Sequence, residues 1–357
     1  MTQPAALQWL SAPPAVPNQE MRQLAEQRQT QLTKPPGSLG RLEEFAIRLA
    51  AMQNTRQPNA DRVHIAIFAA DHGVAAEGVS AFPQSVTGEM IRNFTRGGAA
   101  INVLARALNA SLEIINLGTV HDTQVLTHVR HCHLGPGTAN FVHQPAMTWE
   151  QLSQAFQAGF ETTEHAHQTG QQLFIGGEMG IGNTTSATAL ACLLLNEQPA
   201  RLTGRGTGLD EQGIAHKITI IARALSLHRP QTDSPLDAVR RVGGFEIAAL
   251  TGAYIHGAQL GLPLLIDGFI STVAALAAEH IVPRCKDWFI FSHQSFELGH
   301  ALVLKALNAD PLIDLQMRLG EGSGAAVTLN LLRMACKLHN EMATFSEAQV
   351  SQQNELS

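Results

Sequence analysis

Apolar positions in this chain cluster in short, largely unbroken runs instead of alternating with polar ones. Val63–Ala70, Leu112–Asn116, Leu173–Ile175, Leu264–Ile266, Trp288–Phe291 and Leu312–Leu315 are such runs. Most lead into a loop of Gly, Asp or small polar residues and then a stretch with helical spacing, often Ala-rich. Unbroken runs predict strands buried on both faces, and strands alternating with helices predict a parallel sheet. The expected fold is therefore α/β, a doubly wound, mainly parallel sheet with helices on both faces. Ligands bind such sheets beyond the carboxyl ends of the strands. The loops Asp71-His72-Gly73, Leu117-Gly118-Thr119, Gly176–Asn183, Asp267-Gly268, Ser292–Ser295 and Gly320–Gly324 all fall at that edge. A Gly-rich rim assembled from distant segments is expected to hold the site.

The first ~30 residues, rich in Gln, Ala and Pro, predict a helical lead-in, and the polar tail after Phe345 predicts fraying. Residues 1–60 together with 325–357 are expected to form a small helical domain, and 61–324 the large α/β domain. Ile247–Ile266 has no Lys, Arg, Asp or Glu, but it holds three Gly, a Pro, His256 and Gln259. A buried helix, a Gly-Leu-Pro turn and a short strand explain it better than a membrane span. Charged residues make up 15% of the 357, against about 25% in a typical domain, and hydrophobic residues 45%. That composition excludes a disordered chain or a coiled coil. A net charge of −6 argues against a nucleic-acid partner, which calls for a basic face. The four Cys show no CxxC spacing, and no apolar leader precedes Arg22. Reduced thiols in a cytoplasm are expected.

Three Gly-rich strings carry the candidate chemistry. Gly177–Thr184 (G-E-M-G-I-G-N-T) has phosphate-loop spacing, with Asn183 where the lysine of a nucleotide hydrolase would stand. Its backbone N–H groups and the following helix start can cradle a phosphate; the plainer alternative is a Gly turn capped by Thr184 or Thr185. Thr203–Gly208 is a second such loop, followed on a helix by Lys217, a suitable point charge for a monophosphate or a merely solvated cation. Gly320–Ala325 loosely matches a dinucleotide fingerprint without the βαβ context. There Glu321 stands between two glycines at the mouth of a helix, as a helix-dipole partner with a lowered pKa or as a general base with a raised one. The histidines His72, His121, His131, His133, His293 and His300 show no metal-ligand spacing, so no metal is expected.

Taken together, T-K-P-P-G-S-L-G-R-L-E (33–43), A-D-H-G-V (70–74), E-G-V-S-A-F-P (77–83), G-E-M-G-I-G-N-T-T (177–185), the 203–210 loop, I-D-G-F (266–269) and L-G-E-G-S-G (319–324) resemble the nicotinate-nucleotide–dimethylbenzimidazole phosphoribosyltransferases of cobalamin lower-ligand assembly. The resemblance runs from about residue 20 to 343. It implies a homodimer with no cofactor, and transfer of a phosphoribosyl group from nicotinate mononucleotide to 5,6-dimethylbenzimidazole. It also implies Glu321 as proton acceptor, with Ser80, Phe82 and Gln84 near the benzimidazole. Gly177, Gly180, Gly182, Asn183, Thr184 and Lys217 would hold the phosphate. Glu178, Asp267 and Ser295 would lie near the ribose and base. Nicotinate leaves from a cationic pyridinium nitrogen, so this chemistry needs no general acid or metal. Two rivals are a nucleotide-binding regulatory module and a dinucleotide-dependent oxidoreductase.

Overall fold

The computed structural model describes residues 5–121 and 126–351. The far end of the polar tail lies outside them. Six strands form one sheet: β1 (Val63–Ala70), β2 (Ser111–Gly118), β3 (Val129–His131), β4 (Leu173–Met179), β5 (Leu264–Ile266) and β6 (Phe289–Phe291). Their spatial order is β3-β2-β1-β4-β5-β6, and every pairing is parallel. The order reverses between β1 and β4, which opens a crevice at their carboxyl ends. β1 is buried along its whole length, as its unbroken apolar run requires.

Successive residues of β4 point to opposite faces, and its two glycines show what covers each. A Cβ at Gly176 would meet Leu250 and Tyr254 of the helix Phe245–Leu260, which is buried from Phe245 to Ala258. A Cβ at Gly177 would lie 2.6 Å from the Glu321 carbonyl carbon and the Gly322 nitrogen. Helices thus flank the sheet on both sides. Phe245–Leu260, the turn Gly261-Leu262-Pro263 and β5 are the helix, turn and strand expected for the uncharged stretch, and no helix among the described residues is long and apolar enough to cross a membrane.

The helices Gln19–Gln31 and Arg41–Met52 pack together, and the second packs on Ser323–Glu341. The Arg28 guanidinium ties them by donating to the carbonyls of His339, Asn340 and Met342. Helix Ser323–Glu341 also touches β4 and the helix Ala100–Ala107, so it links this helical layer to the sheet. Three expectations about strands change. Leu117-Gly118, expected in a loop, are the last residues of β2. Leu312–Leu315 is no strand: Ile313 makes one parallel bridge to His293, and the rest runs as loop. Gly176–Met179, expected in a loop, extends β4, because Ala66–Ala69 of β1 pair with it residue for residue.

Candidate active site

Beyond the carboxyl ends of β4, β5 and β6 lies a cleft of about 390 Å³. Of the residues singled out from the sequence, Glu321, Phe82, Glu178, Gly180, Asn183, Thr184, Asp267 and Ser295 line it. Ser80, Gln84, Gly177, Gly182 and Lys217 do not, and each has another place. Ser80 and the Ala81 N–H both bond to Thr207, a wall residue, at 3.2 and 3.1 Å. The Gln84 amide donates to the His72 carbonyl at 2.7 Å, behind the wall. Gly177 seats the 321–322 backbone, as above. A Cβ at Gly182 would lie 3.2 Å from the His72 Cβ.

Glu321 has a left-handed backbone, φ 60°, between Gly320 at 86° and Gly322 at 71°. A carboxylate-bearing residue is unusual there and costs on the order of 1–3 kcal/mol. A Cβ at Gly320 would collide with the Glu178 carboxyl. The Glu321 carboxylate takes a hydrogen bond from the Ile101 backbone N–H in the first turn of helix Ala100–Ala107. Its Oε2 is buried and has no protein partner. Burial raises its pKa above the ordinary carboxylate value, Ile101 opposes, and the neighbouring Asp267 adds to the rise. Both readings of Glu321 therefore meet a physical counterpart, but the helix it touches is Ala100–Ala107. The helix that follows it, Ser323–Glu341, is closed by Asp267: Oδ1 accepts the Ala325 N–H at 2.8 Å, and the carboxylate also takes the N–H groups of Gly324 and Gly268.

Glu178 is buried at the end of β4 and accepts from the Glu321 backbone N–H and the Asn183 amide. Burial first, then the charges of Glu246, Asp267 and Glu321, push its pKa well above the carboxylate range. Burial thus favours its protonated form. Glu246 stands behind the wall, paired with His72 (Nε2 to Oε1, 2.7 Å), both fully buried. A Cβ at Gly180 would lie 3.2 Å from that His72 nitrogen, so the Gly-rich turn rests on the pair. The sequence pattern groups His72 with possible metal ligands and carries no signal for Glu246, 174 residues away. Among the described residues, no three His, Cys, Asp or Glu are placed to hold a metal.

The turn after β4 opens the helix Asn183–Leu194 from Gly182 (φ 99°), with no side-chain cap. Thr184 and Thr185 are therefore not its caps. Thr184 Oγ1 instead accepts the Lys217 Nζ at 2.7 Å, across from helix Glu211–His228. Burial lowers the Lys217 pKa to about 8, against a pull upward from Glu297. Arg318, exposed on the wall, reaches the Gly206 carbonyl at 3.4 Å. A lone exposed arginine carries no motif; its only signal is its place three residues before Glu321.

A family model described as "Phosphoribosyltransferase" matches residues 15–350. A nicotinate-nucleotide–dimethylbenzimidazole phosphoribosyltransferase of Xanthomonas axonopodis pv. citri (strain 306) is 60% identical over 343 residues, covering 96% of this chain and 98% of that protein. The protein of that name from Pseudomonas aeruginosa (strain LESB58) is 56% identical over 346 residues, 97% of this chain and 99% of its own. Among solved structures, CobT from Thermus thermophilus superposes with a TM-score of 0.90 at 45% identity, covering 94% of this chain and 100% of that one.

Proposed function

The chain belongs to the nicotinate-nucleotide–dimethylbenzimidazole phosphoribosyltransferase family, and from that premise we propose how its cleft divides the work. The enzyme transfers the 5-phosphoribosyl group of nicotinate mononucleotide to 5,6-dimethylbenzimidazole, giving α-ribazole 5′-phosphate and nicotinate. One ring nitrogen of the benzimidazole attacks C1′ opposite the departing nicotinate, so a β bond becomes an α bond. The pyridinium nitrogen takes the bonding electrons and becomes neutral. The new benzimidazolium then gives up the proton on its other nitrogen.

Glu321 is the acceptor of that proton. The observation that carries this reading is the buried, unpartnered Oε2 of a wall carboxylate with a raised pKa. A base of that kind is strong enough to take an azole proton and already sits where the charge develops. Glu178 and the Asn183 amide face the ribose, with Ser295 on the opposite wall. The 5′-phosphate lies at the turn before Asn183, near Thr184, where the Lys217 ammonium stands behind and Arg318 in front. Holding the phosphate there fixes the ribose while the two bases exchange. Phe82 and Thr207, with Ser80 behind, form the benzimidazole side.

The partner is a second copy of the chain. Phe82, Phe296, Leu298, Leu315 and Leu319 on and beside the cleft wall are 53–64% exposed, an apolar rim that a homodimer contact would cover. Four free thiols support a cytoplasmic setting. The test is mass spectrometry of products after incubation with nicotinate mononucleotide and a panel of benzimidazoles, purines and phenols. An α-ribazole phosphate product with dimethylbenzimidazole is expected. Its absence, with NAD(H)-dependent absorbance changes in its place, would return the oxidoreductase reading. Sedimentation at micromolar concentration tests the dimer, with Leu298→Asp expected to yield monomers.

A further inference from the structure

Asp267 lines the cleft, yet its carboxylate is turned into the protein. It accepts the Ala325 N–H at 2.8 Å and also the N–H groups of Gly324 and Gly268. It is 2% exposed. The His293 imidazole lies alongside, with Nε2 3.7 Å from Oδ1, where a proton on the ring would favour the ionised form of Asp267 against burial. The same ring fills the space where a Cβ at Gly324 would go. Helix Ser323–Glu341 begins at Gly322 and has no side-chain cap from its own N-cap residue. A carboxylate from the end of β5 therefore supplies the missing acceptor, 58 residues away in sequence.

Directly before that helix start lie Gly320, Glu321 and Gly322, all left-handed. Glu321 would leave this region if its two ends were free. One end is held by the Glu178 carboxyl on the Glu321 N–H. The other is the first turn of the helix that Asp267 closes. We propose that Asp267 is a positioning residue for the reaction: by fixing the amino end of helix Ser323–Glu341 it keeps Glu321 left-handed and its carboxylate in the cleft, and it does not bind the ribose or base through its own oxygens. This rests on Glu321 as the base.

Steady-state kinetics of Asp267→Ala, Asp267→Asn and Glu321→Gln test it together. Asp267→Ala removes the acceptor, and kcat should fall roughly ten- to a hundredfold, as small misplacements do, while KM for nicotinate mononucleotide stays within about twofold. Asp267→Asn keeps an oxygen for the helix N–H groups and should recover most of kcat. It also removes the negative charge that raises the Glu321 pKa, so the acid limb of its kcat profile should move to lower pH. A purely structural role would lower Tm without moving that limb. A rise in KM in step with the loss of kcat in both variants would make Asp267 a substrate ligand and overturn the proposal. So would a folded Asp267→Ala with unchanged kcat. If Asp267→Ala does not fold, the Asp267→Asn limb decides: no shift overturns the proposal. Glu321→Gln separates the premise: full activity there sinks the base assignment itself, whereas an inactive Glu321→Gln with an active Asp267→Ala sinks only the positioning role.

Discussion

Replacing Glu321 by Gln keeps the shape of the side chain and removes its basicity. The Gln carbonyl oxygen can still accept the Ile101 N–H, so the contact with helix Ala100–Ala107 survives. The N–H bond to Glu178 is a backbone contact and is untouched. What disappears is the buried Oε2 available for the azole proton. Loss of a general base costs roughly 10²–10⁴ in rate, about 3–5 kcal/mol of barrier. Stability should move the other way. A carboxyl whose folded pKa is raised stabilises the fold only below its unfolded value, and that contribution is lost as pH rises through the folded pKa. Gln carries no such loss, so above that pH the variant should melt at the same temperature or slightly higher. If Glu321 served only the helix dipole, its neutralisation would leave kcat near normal and lose about 0.3–1 kcal/mol of stability. Initial rates of α-ribazole phosphate formation at saturating substrates, with thermal unfolding at pH 6 and about 8.5, distinguish the two. A Gln variant that is fully active and less stable would refute the base reading.

Further outcomes are expected. Burial raises the folded pKa of Glu178, so its stabilisation is present at low pH and lost as pH rises through that raised value; Glu178→Gln should flatten the decline of Tm with rising pH. With Lys217 lowered to about 8, kcat/KM for the mononucleotide should fall above that pH, and Lys217→Ala should raise KM by about 1.5–3 kcal/mol; equal activity on the dephosphorylated nucleoside would place the anion elsewhere. Arg318→Ala should raise KM by a similar, salt-sensitive amount with kcat little changed, because its guanidinium is exposed on the wall. Exhaustive chelation should leave turnover intact, since a pyridinium leaving group needs no Lewis acid; a loss restored by Zn²⁺ or Mg²⁺ would contradict that.

The sheet was legible because its strands are buried on both faces, which leaves unbroken apolar runs at Val63–Ala70 and Leu264–Ile266 with the observed ends. Leu312–Leu315 misled because a short apolar run bounded by turn residues looks alike in a strand and in a packed loop. The site was legible where a glycine had to stand: the Gly-rich strings mark close backbone approach, and Gly177 against Gly322 is one such approach. The roles of single side chains were less legible. Asp267 lies in a recognisable string and Gln84 directly after one, but nothing local says that one closes a distant helix and the other holds a backbone carbonyl. Glu246 and Arg318 belong to no string at all, and only the folding of the chain brings them to the site.

The left-handed backbone at position 321 also makes this residue a marker. Glycine would sit there without strain, so a chain relieved of its reaction has a physical incentive to replace the glutamate. Among descendants of this fold, Gly-Glu-Gly before the final long helix then signals retained transfer chemistry, whereas Gly-Gly-Gly or Gly-Asn-Gly signals a protein kept for binding alone. Sorting sequences by that one letter, and assaying a few from each group, would separate enzymes from inactive relatives without solving their structures.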